Sequence, residues 1–380
     1  MGGDSAGVDR LDGAAAAPAW NRFAHWGAWP ARTLLAVVAA LLVLAAFTPL
    51  TASMDGAPSE VPAFVGGEGA AQAGIERDDD LAFYDRVIER IDRGESYYDF
   101  IVEEQRASDY PVRPGLAVRL PTLAYIHAWL GEPGMLVLAL LLMGATVWAW
   151  WKRLGEEPGG RSMRRIGAAL MLMGASLGLN RYYFVLHELW AGMLVALAFG
   201  LHRPGRWAWS LTIAALALAI REHVLPFVLL LGAMAAWRRD WQEAAAWASL
   251  VLVFVAAMAW HLSLVAPHVL PSDPESPDWL VLRGLSGWLG NVVLSSNLRF
   301  LPHEMAGPLV VLMVLGWAGW KSSAGTTGTF LYLGYGLAFM IAGRANNFYW
   351  GAVVAPAMFI GLAFVPMALS SLVKSARGDA

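Results

Sequence analysis

The sequence contains no cysteine, which excludes disulfide staples and thiolate chemistry. It is also poor in charge: Asp, Glu, Lys and Arg make up 15% of its 380 residues, against about 25% in soluble domains. There is no basic excess, and a net charge of -3 argues against a nucleic-acid partner. No internal repeat or inverted symmetry of the kind many transporters carry is visible. No A-x-A-like cleavage site closely follows the first apolar run, so that run reads as a retained helix rather than a signal peptide. What the sequence does have is apolar surface: 57% hydrophobic residues and 19 Trp. The Trp residues fit aromatic belts at a membrane interface. Apolar runs near 20 residues long suit a bilayer core of about 30 Å. The expected fold class is therefore all-α, a polytopic transmembrane helix bundle.

Breaks between the runs place spans near 33–50, 134–151, 164–180, 186–201, 207–220, 224–237, 242–265, 306–320, 327–343 and 349–370. That makes about ten. The segment 116–130 is apolar but interrupted by Arg119 and Pro121. An eleventh span there would reverse every later loop. With ten spans, Lys152, Arg153, Arg161, Arg164, Arg165, Arg203, Arg206, Arg238, Arg239 and Lys321 fall in short cytoplasmic connections, while most acidic residues fall outside. The expected organisation is a cytoplasmic tail 1–32, one transmembrane domain 33–370 with outer loops 51–115 and 266–305, and a cytoplasmic tail 371–380. The expected location is a bacterial-type inner membrane, with both termini cytoplasmic and the polar end periplasmic. The opening of the first loop, 52–75, is Gly/Ala/Pro-rich and reads as flexible.

The rest of the first loop carries helical patterns. Asp78-Asp79-Asp80 opens a helix that stops at Gly94. Asp80 lies above Tyr84, Val87 and Ile91 on the apolar stripe, and Asp78 lies on a solvated one. A carboxylate tucked against packed surface has a raised pKa and suits a general base. The competing reading is that all three aspartates cap a helix N-terminus. Ser96-Tyr97-Tyr98-Asp99 starts a second short helix with a capping-box pattern, carrying Glu103 and Glu104. An extended Tyr110-Pro111-Val112-Arg113-Pro114 follows. Tyrosines beside carboxylates suit a sugar at a membrane surface, and equally a loop that packs on the bundle. The segment 278–300 reads as an amphipathic interfacial helix.

Further polar residues gather at the outer helix ends, where ionisable groups are functional candidates. They are Asn180 and Arg181, His187 and Glu188, Arg221-Glu222-His223, Arg299, and Arg344 with Asn346 and Asn347. Arginine is the natural clamp for a phosphate. The alternative for Arg221 is an internal ion pair with Glu188 or Glu222 that locks the bundle. His187-Glu188 has no His-x-x-x-His partner, so it is not a zinc motif. A divalent ion held by Asp and Glu from separate loops is compatible with the sequence, which otherwise leaves the metal question open.

The pattern Asp79-Asp80 … Tyr84 … Gly94 … Tyr97-Tyr98 … Tyr110-Pro111 … Arg113-Pro114 resembles the first outer loop of GT-C glycosyltransferases. The acidic cluster departs from that family by sitting well beyond the first helix. The resemblance implies a GT-C-like architecture with juxtamembrane helices in the first loop. It also implies inverting transfer from a polyprenyl-phosphate-linked sugar donor to a lipid or glycan acceptor, in contact with membrane lipids. By resemblance, the base is Asp80, with Asp79 next, and a second acidic role falls to Glu103 or Glu104. The candidates for binding the substrate or the lipid phosphate are Arg221, Arg344, Arg113, Arg299, Tyr97, Tyr98, His187, Glu188, His223 and Asn347. The alternatives are a transporter, or a non-catalytic membrane scaffold that binds lipid.

Overall fold

A computed structural model describes residues 20–50 and 78–378. The flexible opening expected over 52–75 and most of the N-terminal tail lie outside the described residues. Within them the chain is all-helical. Four helices are long and apolar enough to cross a membrane, and several shorter apolar helices accompany them.

Helix α1 (Ala28–Phe47) is almost wholly Ala, Leu and Val, and at 20 residues it spans about 30 Å. It begins five residues before the expected start. Two short helices follow, α2 (Asp79–Asp92) and α3 (Tyr97–Ala107), close to their expected positions. Helix α4 (Thr122–Glu156) breaks at Gly131, where φ is +61° and Pro133 follows. The part before the break, 122–130, reaches only about 14 Å and does not make a span by itself. It packs under the first loop, where α2 meets α4.

Helices α5 (Gly160–Ala175), α6 (His187–Leu201), α7 (Ala208–Ile220), α8 (Leu225–Trp237) and α9 (Trp241–Val265) form the middle of the bundle. Helix α6 is buried along nearly its whole length. It is apolar on every side, as a fully enclosed helix is.

The segment 278–300 departs from its expected form. Residues 278–283 form neither helix nor strand, and α10 (Gly284–Leu294) is buried from Gly287 to Leu294. It is therefore an internal helix and not an interfacial one. Its small residues explain why. The backbone of Asn291 approaches Gly351 so closely that a Cβ there would collide with the carbonyl, a crossing that needs glycine.

Helices α11 (His303–Gly319) and α12 (Ser323–Ile341) follow. The last expected span is not one α-helix. It runs as 3-10 turns over Ala345–Val353, a short α13 (Ala355–Met358), more 3-10 turns over Phe359–Phe364, and α14 (Val365–Arg377). Pro356 and Pro366 each remove a backbone donor, and this stretch is enclosed by α5, α6, α10 and α11.

At the end holding α1's start and α14, buried polar groups pair closely. His202 Nε2 and Arg238 both meet the enclosed Glu243, each at 2.8 Å. Asn21 accepts from Ser371 at 2.9 Å and tethers the segment before α1.

Candidate functional site

The opposite end of the bundle carries the first loop. Helices α2 and α3 form a hairpin held by Arg86 and Arg90, which bind the two carboxylate oxygens of Glu104 at 2.8 and 3.2 Å. Arg90 also donates twice to Glu95, and this hydrogen-bonded Arg90 holds the Glu95 carboxyl below its ordinary range. Glu104, expected to act in catalysis, is thus engaged by two arginines that fix the hairpin. Glu103 is exposed.

The hairpin is clasped to the chain after α9. Arg106 Nε and Nη2 donate to the Asp273 carboxylate at 2.5 and 3.0 Å. Arg113 Nε donates to the Asp273 carbonyl, and its Nη2 lies 3.6 Å from Glu275. Residues 78–121 and 266–276 therefore form one cap, and Arg113 belongs to its joint. The Arg106 guanidinium holds the Asp273 carboxyl below its ordinary range. A carboxyl depressed in the folded state stabilises above its unfolded pKa of about 3.9, and that contribution is lost as pH falls through the lower folded value. The backbone bonds from Val112 and Arg113 to Pro274 are therefore expected to gain hydrogen exchange below about pH 4. Arg106→Ala should show the same gain at neutral pH. Unchanged protection in the variant would refute the clasp.

Tyr97 and Tyr98 also serve the cap. Tyr97 is buried and its hydroxyl donates to the Arg119 carbonyl at 2.7 Å. His261 Nε2 donates to the Val118 carbonyl, so Nδ1 accepts from the Tyr98 hydroxyl at 3.0 Å. With its phenol enclosed, Tyr97 offers no face to a sugar. Tyr98 ties α3 to α9.

Asp80 departs from its expected setting. It is exposed at the start of α2, with Asp78 and Asp79. The stripe above Val87 and Ile91 is buried, but the helix ends before that burial reaches Asp80. Asp78 caps the helix, accepting from the Asp80 N–H at 3.2 Å, and this bears out part of the capping reading. Asp80 has a partner of its own: the Tyr110 hydroxyl donates to its Oδ1 at 2.6 Å. Burial, and then this bond, push the Tyr110 hydroxyl well above its ordinary range, so the phenol keeps its proton and the carboxylate accepts.

One turn further along α2, Tyr84 points inward. Arg119 Nε donates to its hydroxyl at 3.1 Å, and the Tyr84 ring packs on the His187 ring. The Arg119 guanidinium stands 3.8 Å from both Glu188 and Glu222. Arg221, only 1% exposed, has its Nε 2.7 Å from Glu188 and its Nη1 on Glu222. The 2.7 Å contact lacks hydrogen-bond alignment but is an ion pair. Two arginines and two glutamates thus compensate one another. Arg221 takes the role of the bundle-locking ion pair, and its donors are turned to carboxylates rather than to a phosphate. The buried His187 and the half-buried His223, whose ring lies tilted against Trp350 with centroids 4.4 Å apart, flank the cluster.

Asn347 Nδ2 donates to the Tyr349 hydroxyl at 3.3 Å, and the Arg344 N–H donates to Asn347 Oδ1 at 3.0 Å. Arg344 makes no ion pair with the four charges. Arg299 lies over the rings of Tyr183 and Phe300 rather than with the cluster. A cavity of about 10 Å3, room for one water, lies between Tyr84, Gln105, Arg119 and His187. Gln105 Oε1, buried and without a hydrogen-bond partner, borders it.

Glu104, Glu188, Glu222 and Asp273 are each engaged by arginine. Among the described residues no three His, Asp or Glu side chains gather as a ligand set. Sequence reading had Arg119 only as an interruption in an apolar run, and that interruption was its signal. Tyr110 stood in the resemblance pattern without its partner Asp80, and Asp273 gave no signal, because its partner Arg106 lies far along the chain. Comparison with known proteins returns no match to a family model, a curated protein or a solved structure.

Proposed function

We propose that the chain is a polytopic membrane glycosyltransferase of the GT-C kind. It has about ten spans, and its loop-bearing end lies at the periplasmic face of a bacterial-type inner membrane. It moves a sugar from a polyprenyl-phosphate-linked donor to a lipid or glycan acceptor. One observation carries this reading: the helix bearing Asp79 and Asp80 is hung by Tyr84 on Arg119, over helix ends that carry Glu188, Arg221 and Glu222.

In this reading Asp80 takes the proton of the acceptor hydroxyl. The freed oxygen attacks the anomeric carbon on the face opposite the lipid phosphate. The bond from that carbon to the phosphate oxygen breaks, and the phosphate leaves with the electron pair. A single displacement inverts the anomeric centre. Arg119 is the cation for the leaving phosphate, because its 3.8 Å contacts are long enough to exchange for phosphate oxygens. Arg221 positions Glu188 and Glu222.

A non-catalytic lipid-binding scaffold is favoured by a different observation: the four charges already compensate, and the cavity beside them holds about one water. Mass spectrometry of the purified protein with polyprenyl-phosphate-linked pentoses and hexoses separates the two. Release of polyprenyl phosphate with an inverted glycoside is the expected result. Lipid retention without turnover of any donor would support the scaffold instead.

A further inference from the structure

Arg283 and Arg344 make a second cationic place, apart from the compensated cluster. Arg283 Nη1 donates to the Arg344 carbonyl at 3.0 Å, and the Arg344 Nε faces the Asn347 side-chain oxygen at 3.5 Å. Both residues are half-buried. Among the described residues no carboxylate lies within ion-pair distance of either, whereas Arg90, Arg106, Arg119 and Arg221 each have one. A half-buried guanidinium with no carboxylate beside it favours an anion as its counter-charge.

The surface beside them is apolar. Residues 278–283 are fixed to the end of α12, where the Arg283 N–H donates to Met340 and the Gly343 N–H to Trp279. Leu280 and Leu282 stand 81% and 83% exposed, while Arg283, at the start of α10, donates to the Arg344 carbonyl. The exposed face continues along α12 through Ile341, Leu337 and Leu333, at helical spacing. A free anion would use the arginines and leave the leucines bare. An apolar face topped by cations that have no carboxylate partner among the described residues matches a lipid with a negative headgroup.

We propose that Arg283 and Arg344 hold the headgroup of an anionic phospholipid of the surrounding bilayer, with its acyl chains against Leu280, Leu282 and the exposed face of α12. The site does not depend on the transferase reading. Native mass spectrometry of the full chain in detergent tests it, with phosphatidylglycerol, phosphatidylcholine, a polyprenyl phosphate and inorganic phosphate as separate probes. The wild type should retain phosphatidylglycerol over phosphatidylcholine. Each arginine is expected to contribute about fivefold, so R283Q/R344Q should lose roughly 25-fold. R283K/R344K should keep most of the retention, and the remote surface variant R93Q all of it. Equal retention of the two phospholipids by the wild type would overturn the proposal whether or not the variants fold. So would unchanged retention in R283Q/R344Q. Preferential retention of the polyprenyl phosphate would make this a carrier-lipid site instead, and binding of inorganic phosphate alone would make it an aqueous anion site.

Discussion

Asp80→Asn is expected to reduce sugar transfer by about a hundred- to ten-thousandfold, the range for loss of a general base. The amide still accepts the Tyr110 hydrogen bond seen at 2.6 Å, so the loop keeps its shape while the proton acceptor is gone. Asp79→Asn should cost less, since the Tyr110 hydroxyl is directed to Asp80. Tyr110→Phe frees the carboxylate to rotate and should lower the rate while leaving a functional base. Initial rates with saturating donor lipid measure all three, with circular dichroism as the check on folding. Transfer that survives the Asp79→Asn/Asp80→Asn double would remove this loop from the chemistry.

Arg221→Ala is expected to be the most destabilising single change, by about 3–5 kcal/mol. Arg221 and Glu188 are both enclosed, with side chains 1% and 2% exposed. Removing the cation strands a carboxylate in a low-dielectric setting. Arg119, 3.8 Å away, offsets part of the loss, so the lower end of the range is the better expectation. The double variant R221M/E188L removes both charges and should recover most of the stability, because apolar replacements of a buried pair are often neutral. Thermal unfolding in detergent reads both. A wild-type melting temperature for Arg221→Ala would mean that the four charges do not lock these helix ends.

The legible parts of the fold were those governed by short-range pattern. The apolar runs and their polar punctuation gave most helix positions, and Asp78 to Gly94 gave α2 nearly to the residue. The misread parts depended on what packs against what. Residues 278–300 read as one amphipathic helix, but only 284–294 are helical, and glycines at 287 and 351 let backbones cross closely there, so that helix is buried. The last span breaks because two prolines fall inside a run that hydropathy alone reads as continuous. At the candidate site, the sequence named Glu188, Arg221 and the first-loop acids. It ranked Asp80 first from helix faces and the resemblance, without sight of the partners that other turns and helices bring to these residues. Glu104 and Arg221 are neutralised by such partners. Asp80 lost its expected burial because the helix starts there.

The cap joins residues separated by more than 160 positions, and this bears on how the protein is made. The bond from Tyr110 to Asp80 is local and is available as soon as the loop is synthesised. Arg119 must wait for Glu188, and Arg106 must wait longer still, until α9 is inserted and Asp273 emerges. A ribosome-bound chain that ends before residue 273 would thus display α2 and α3 as a hairpin closed on itself yet unlatched from the bundle. Proteases or chaperones on that side of the membrane would meet it in that state during the whole synthesis of the middle helices. Asp273 is thus the residue whose synthesis allows the loop to be clasped as a cap.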